Sequence, residues 1–175
     1  MNQIAKNSKN HRPIILTQRD AALFAKLGSL GVLNPEQIKA LFFASLPRTR
    51  RRLLQLWQHG FLKRIQRPVL KGDGSSKYYY SLSPKARRQL ALSNKDVESP
   101  KYRRTNSVNL HQEKIIDFRI CLELANRWHD PELKHWEEGK TLKLQTSIDK
   151  EGIKWHLSLI PDAFFTVSMA GKDYA

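Results

Sequence analysis

Several features that the sequence lacks limit what kind of protein it can be. It has a single cysteine, Cys121, which excludes a disulfide framework within the chain and a zinc site built from several cysteines. No stretch approaches the roughly 18 consecutive apolar residues of a membrane span, and residues 1–13 lack the apolar core of a signal peptide. We therefore expect a cytoplasmic protein that does not enter a membrane. Cys121 falls on an apolar helical face and is predicted to be a core residue.

Motifs for nucleotide and metal cofactors are also missing. There is no Gly-x-x-x-x-Gly-Lys loop of the kind that cradles a triphosphate. The histidines at 111, 129, 135 and 156 have no close ligand spacing such as His-x-x-x-His. The sequence therefore predicts no metal, no ATP use and no other cofactor.

Acidic residues are scarce in the first half of the chain. Residues 1–92 hold 18 lysines and arginines but three acids, Asp20, Glu36 and Asp73, whereas residues 93–175 hold 13 residues of each sign. The whole formal charge of +15 therefore lies in the first half. An excess of this size favours polyanions, because binding them releases condensed counterions. Double-stranded DNA becomes the leading partner, and the first half is the part expected to bind it.

The sequence predicts an α+β protein with two domains. We expect a flexible basic arm at 1–13, a winged helix-turn-helix domain at 14–92, a linker without periodicity at 93–108 and a second, α/β domain at 109–175. Basic arms can follow a DNA groove, and the alternative is a solvated tail.

Helix-capping signals place three helices in the first domain. Thr17 and Asp20 have the spacing of an N-terminal capping box, and Asn34 has the residue type and position of a second helix start. A third helix is predicted from about 47 to 59, where Gly60 ends it.

A predicted β-hairpin follows, with strand-like runs at 61–69 and 78–82 on either side of a glycine-rich turn, and another helix comes after it. The order helix, helix, helix, hairpin, helix is that of a winged helix. Alternation along the second strand places Tyr78 and Tyr80 on one face and Tyr79 on the other. We expect the face with the two tyrosines to be the core.

Basic residues concentrate on one face of the third helix, opposite the apolar Leu53, Leu56 and Trp57. The major groove admits one helix, and the paired acceptors of guanine fit a bidentate arginine. We therefore predict this helix to be the recognition helix. Its expected base contacts come from Arg48, Arg51, Arg52 and Gln55, and its flanking phosphate contacts come from Thr49 and Arg50.

The hairpin is predicted to be a wing that contacts the DNA backbone or the minor groove. Its basic residues surround the glycine-rich tip, so phosphate contact is favoured over base recognition. They are Lys63, Arg64, Arg67, Lys71 and Lys77.

Several short segments together carry a family resemblance. They are Leu16–Asp20, Leu30–Leu33, Arg51–Leu53, Gly60–Leu62, Tyr80–Lys85, the helix start Leu110-His111 and Pro161–Ala163. With these segments the chain resembles the replication-relaxation family of bacterial mobile-element proteins over nearly its whole length. The resemblance implies a role in plasmid or integrative-element replication, in DNA relaxation or in its control.

The second domain is less clearly patterned. A mostly buried helix is predicted around 116–125, followed by strands at 141–145, 153–159 and 163–167. The last residues, 169–175, have the composition of a hairpin turn whose return strand is absent. This suggests the hypothesis that the chain is a fragment or a shortened form of a longer protein.

Three functions compete at this point. The first is a non-enzymatic DNA-binding protein of mobile-element replication or mobilisation. The second is a transcriptional regulator whose second domain senses a signal or forms a homodimer. The third is a nuclease, because Glu113 and Asp162 resemble the opening carboxylates of a Mg²⁺ site. Such a site also needs an acid and a lysine two positions apart on the next strand, and after Asp162 the chain offers only Lys172 and Asp173. We therefore predict no enzymatic activity.

Overall fold

The computed structural model of the chain is an α+β protein that divides into two compact units. The structure describes residues 13–66, 77–93, 110–126, 132–138, 142–150 and 153–175, which contain five helices and several small antiparallel sheets. The units are Met1–Glu113 and Lys114–Ala175. The predicted α+β class is confirmed. The predicted arm up to residue 12 and the predicted linker beyond Ser93 lie outside the described residues.

Three helices open the first unit, namely α1 (Gln18–Leu30), α2 (Pro35–Phe42) and α3 (Leu46–Gln58). The first two begin with complete capping boxes, at Thr17 and at Asn34. In each box the cap side chain accepts a backbone hydrogen bond, and the side chain three residues later accepts one from the cap backbone N–H. These contacts confirm the helix starts predicted at Thr17 and Asn34. The starts could be predicted because capping depends on neighbours within one turn.

The hairpin consists of the antiparallel strands β1 (Leu62–Gln66) and β2 (Tyr78–Leu82), and α4 (Pro84–Ser93) follows it. The element order is the one that the sequence predicts. Leu33, between α1 and α2, adds a short third segment to the sheet. Its backbone N–H and C=O bond those of Tyr80 at 3.0 and 2.8 Å.

The tyrosines of β2 are buried differently from the prediction. Tyr79 and Tyr80 are 3% and 5% exposed, whereas Tyr78 is 40% exposed. Placing Tyr78 in the core and Tyr79 outside it was therefore wrong. Alternation identifies the core face only when the other face meets water, and most of β2 is buried on both faces. The Tyr79 hydroxyl donates to Glu113 Oε2 at 2.8 Å.

The core of the first unit lies between the three helices and the hairpin. Aromatic packing contributes to it, because the rings of Phe24 and Phe61 stack with centroids 5.8 Å apart. The fully buried apolar side chains at its centre are Leu23, Phe24, Leu27, Leu33, Ile38, Leu53 and Leu56. This core fixes one side of α3 against the rest of the unit.

The second unit contains most of α5 (Leu110–Ala125) and five strands. Strands β3 (Glu132–Glu138), β6 (Ala163–Met169) and β7 (Lys172–Tyr174) form one antiparallel sheet in the order β3-β6-β7. Strands β4 (Leu144–Lys150) and β5 (Ile153–Leu159) form a separate hairpin. Strand β3 is not among the predicted elements. The expected absence of a return strand after 169 was also wrong, since β7 pairs with β6.

Burial along α5 also corrects the prediction. Ile116 and Ile120 are buried, whereas Cys121 is exposed and Phe118 is 48% exposed. The core position assigned to Cys121 was therefore wrong, because the wide apolar stripe of this helix left two possible buried faces. Phe118 instead contacts the ring of Phe165 edge-on at 5.4 Å.

Adjacent leucines of α3 provide a test of this packing. Leu53 is fully buried and Leu54 is 41% exposed. We expect Leu53→Ala to lower the free energy of unfolding by about 2–5 kcal/mol, because it removes buried methyl groups and leaves a cavity. Leu54→Ala should cost less than about 1 kcal/mol. Urea denaturation followed by circular dichroism measures both, and equal losses would show that α3 does not pack through Leu53.

Candidate nucleic-acid interface

Helix α3 turns an exposed basic face away from the core. Arg48, Arg51 and Gln55 are exposed and lie at i, i+3 and i+7, on one side of the helix, while Leu53 and Leu56 are buried on the other. Among the residues that the structure describes, Arg48 and Arg51 form no ion pair. Their guanidinium groups are therefore accessible to an anionic partner.

Arg50 lies beside this face and is paired weakly. Its Nη2 is 3.5 Å from Oε1 of Glu36 on α2, and its side chain is 62% exposed. Exposed pairs of this kind typically contribute less than about 1 kcal/mol. The sequence predicts Arg50 to be a flanking phosphate contact, and breaking this weak pair would cost little free energy.

Arg52 does not fit its predicted role. Its Nη2 and Nε donate to Oδ2 and Oδ1 of Asp20 at 2.5 and 3.0 Å. Nη2 also donates to the carbonyl of Ile15 at 2.8 Å, and Nη1 donates to Oε1 of Gln55 at 3.2 Å. These contacts occupy both ends of the guanidinium, so base recognition by Arg52 requires the ion pair to break. We correct its role to that of a residue that fixes α3 to α1.

Asp20 is the buried partner in this arrangement, with 1% of its surface exposed. Its Oδ2 also accepts hydrogen bonds from the backbone N–H and the hydroxyl of Thr17, at 2.7 and 2.8 Å. Burial alone would raise the pKa of this carboxyl, but hydrogen bonds from Arg52 and Thr17 outweigh it and lower the pKa below its usual value. The same hydrogen bond to Asp20 raises the pKa of Arg52. The pair is therefore charged at neutral pH.

Thr49 also differs from its prediction as a phosphate contact. It is fully buried, and its hydroxyl donates to the carbonyl of Ser45 at 2.9 Å. The reason is helical spacing, since Thr49 lies four residues before Leu53 and seven before Leu56 and so belongs to the buried stripe. Thr49 packs α3 into the core and does not reach its exposed face.

The described basic residues predicted for the wing fall into two groups. Lys63 and Lys77 are exposed, whereas Arg64 is half-buried with its Cζ 4.0 Å from the Trp57 ring centroid and 4.2 Å from that of Tyr78. Arg67 and Lys71 lie outside the described residues. Sequence reasoning missed this contact between Arg64 and two rings, because alternation in the hairpin does not show that α3 brings Trp57 to the same place.

The carboxylates of the nuclease alternative have other surroundings. Glu113 accepts hydrogen bonds from Asn34 Nδ2 at 3.0 Å and from the Tyr79 hydroxyl at 2.8 Å. Asp162 is exposed in the bend between β5 and β6. Across the described ranges, no three His, Cys, Asp or Glu side chains are grouped so that they could hold a metal ion. No helix in these ranges is long and apolar enough to cross a membrane.

Comparison with known proteins gives one finding. Residues 24–174 match the family model described as Replication-relaxation, which covers both compact units. No curated protein and no solved structure matches the chain. Because the model matches well over half of the sequence, the chain belongs to the replication-relaxation family. Membership supports a role in the replication or relaxation of a plasmid or mobile element, as the sequence resemblance implies.

The buried pair gives a prediction for stability and its pH dependence. Asp20→Asn should lower the free energy of unfolding by on the order of 3 kcal/mol at pH 7, because it leaves Arg52 without its anion. The pKa of Asp20 is lower in the folded state than in the unfolded state, so ionisation of Asp20 stabilises the folded state. This contribution is fully present above the unfolded pKa of about 3.9 and is lost as pH falls through the folded pKa.

Urea denaturation of both proteins between pH 7 and pH 2.5 measures this dependence. We expect the difference between wild type and Asp20→Asn to be largest at neutral pH and to shrink below pH 4. A difference that stays constant over the whole range would contradict a charged Asp20 in the folded state.

Proposed function

We propose that this member of the replication-relaxation family binds specific double-stranded DNA through a winged helix-turn-helix, in the replication or mobilisation of a plasmid or integrative element. The domain would consist of α1 to α4 with the β1–β2 hairpin as its wing. The observation that carries the proposal is the exposed face of α3, where Arg48 and Arg51 have no anionic partner among the described residues. The opposite, apolar face of α3 is buried in the core and holds the helix in place.

The chemistry of this face suits the edges of base pairs in the major groove. An arginine can donate two hydrogen bonds to O6 and N7 of guanine, and a glutamine side chain can pair with N6 and N7 of adenine. Gln55 is exposed, and Arg52 holds its Oε1 at 3.2 Å, which restricts the orientation of the amide. Arg48, Arg51 and Gln55 are therefore the proposed base contacts.

The distribution of charge also supports DNA binding by the first half of the chain. Residues 1–92 carry the entire excess of positive charge, and phosphate neutralisation dominates the affinity of proteins for DNA. Arg50, Lys63 and Lys77 are exposed within it. We assign these three residues to phosphate contacts that position α3 in the groove, because such contacts carry no sequence information of their own.

We further propose that the chain binds DNA without cleaving it. The proposal is supported by the hydrogen bonds that hold Glu113 to Asn34 and Tyr79. These bonds give Glu113 a structural role at the start of α5. Asp162, the other carboxylate of the nuclease alternative, is followed in β7 only by the exposed Lys172 and Asp173.

Substitution of the exposed arginines tests base recognition. Duplexes selected from a random pool by the wild-type protein supply the specific ligand. Arg48→Ala or Arg51→Ala should lower affinity for this ligand by about 1–3 kcal/mol, with a smaller loss on random duplex, because a bidentate contact to guanine is removed. Fluorescence anisotropy measures both affinities.

Arg88→Ala is the matched control, since Arg88 is also exposed but lies on α4. We expect it to keep the preference for the selected duplex. Losses that are equal on selected and random duplexes for Arg48→Ala and Arg51→Ala would refute base recognition by α3.

Incubation of supercoiled plasmid with the protein and Mg²⁺ tests the absence of cleavage. We expect the plasmid to remain supercoiled on an agarose gel, because the proposed activity is binding. Nicking that is lost in Asp162→Ala would contradict this proposal and establish a hydrolytic site.

A further inference from the structure

We propose that Trp57 and Tyr78 are positioning residues for DNA binding, which hold the guanidinium of Arg64 as a preorganised phosphate anchor at the base of the wing. The inference rests on the DNA binding proposed above. It adds a role for two aromatic residues that the exposed basic face of α3 does not include.

The geometry begins with the distances around Arg64. Its Cζ lies 4.0 Å from the ring centroid of Trp57 and 4.2 Å from that of Tyr78. Both rings therefore lie against the guanidinium, one supplied by α3 and the other by the hairpin. Each ring attracts the cation through its quadrupole. Contact with two rings from different elements therefore restricts the orientation of the Arg64 side chain.

This stack connects the recognition helix to both strands of the wing. Trp57 is in the last turn of α3, Arg64 is in β1 and Tyr78 begins β2. Arg64 pairs with Tyr80 and Gln66 pairs with Tyr78, so Arg64 and Tyr78 are diagonal neighbours on one face of the hairpin. The position of Arg64 relative to α3 is thus fixed from both sides.

The N–H donors at the edges of the Arg64 guanidinium determine which ligand it can bind. Tyr80 is the cross-strand partner of Arg64, and burial raises the pKa of its hydroxyl although the positive charge of Arg64 opposes this rise. A guanidinium has five N–H donors, all in its plane. Among the described residues Arg64 forms no ion pair, and its side chain is only half-buried. These donors therefore suit an oxygen that approaches in the plane, and a phosphate is such a ligand.

The stack should raise the affinity for DNA because it orders the Arg64 side chain before binding. A free arginine on a hairpin loses side-chain freedom when it contacts a phosphate, and that loss reduces affinity. Between two rings, much of this freedom is lost before DNA arrives. Removing a ring should weaken binding only while Arg64 is present, because the ring acts through Arg64.

A double-mutant cycle on the full chain tests the proposal, with fluorescence anisotropy of a selected duplex over a range of salt concentrations. Tyr78→Leu should lower affinity about threefold to tenfold, whereas the matched control Tyr78→Phe, which keeps the ring, should stay within about twofold of wild type. Arg64→Gln should reduce the slope of log K against log salt by about one unit. In the Arg64→Gln background, Tyr78→Leu should have no further effect.

Three results would overturn the inference. One is an unchanged salt slope in Arg64→Gln, which does not depend on the folding of the tyrosine variants. Another is an equal loss from Tyr78→Leu with and without Arg64, because a purely structural role would produce it. The third is a loss in Tyr78→Phe as large as that in Tyr78→Leu. Failure of the wild-type protein to bind any duplex would instead overturn the proposed function itself.

Discussion

The buried carboxylate of Asp20 organises the first unit around one ion pair. It accepts hydrogen bonds from Thr17 at the start of α1 and from Arg52 of α3, and the same guanidinium donates to the carbonyl of Ile15. Residues 15–20 and helix α3, whose Arg52 is 32 positions from Asp20, therefore meet at one charge. In a half of the chain with so few acids, this carboxylate also neutralises one arginine of a strongly basic helix.

The pair also separates the arginines of α3 by function. Arg52 points toward α1 and is held there, whereas Arg48 and Arg51 point away from the core with no anionic partner in the described part of the chain. In the β1–β2 hairpin, Arg64 contacts the rings of Trp57 and Tyr78, and these contacts leave its charge unneutralised. Fixed and exposed cations thus occupy neighbouring positions, which is the arrangement that the proposed DNA-binding surface needs.

Local signals in the sequence predicted much of the first unit. The capping boxes at Thr17 and Asn34 act within one helical turn, and the hairpin follows from its turn residues and flanking strands, so these elements could be identified without tertiary information. The role of Arg52 could not, because its partner is 32 positions away in the sequence. The burial of Tyr79 was missed for a related reason, since helices α1, α2 and α4 pack against β2 and most of this strand is buried on both faces.

The second unit was harder to predict because its strands carry mixed patterns. Strand β3 contains three glutamates, a lysine and a histidine among its seven residues, so neither alternation nor an apolar run marks it. Its Trp136 stacks on Phe165 of β6 with centroids 5.6 Å apart, a contact that becomes visible only after the two strands pair. On α5, a broad apolar stripe allowed Cys121 to be placed inside when Ile116 and Ile120 are the buried residues.

In the proposed binding mode, α3 contacts DNA through Arg48 and Arg51, while Arg52 stays paired with Asp20. Arginine side-chain Nε–Hε resonances in an NMR titration with a selected duplex test it most directly, because each guanidinium is observed separately. We expect large shifts for Arg48 and Arg51 and a nearly unchanged resonance for Arg52. Shifts confined to arginines outside α3, or a large shift of Arg52 with none at Arg48 and Arg51, would contradict it.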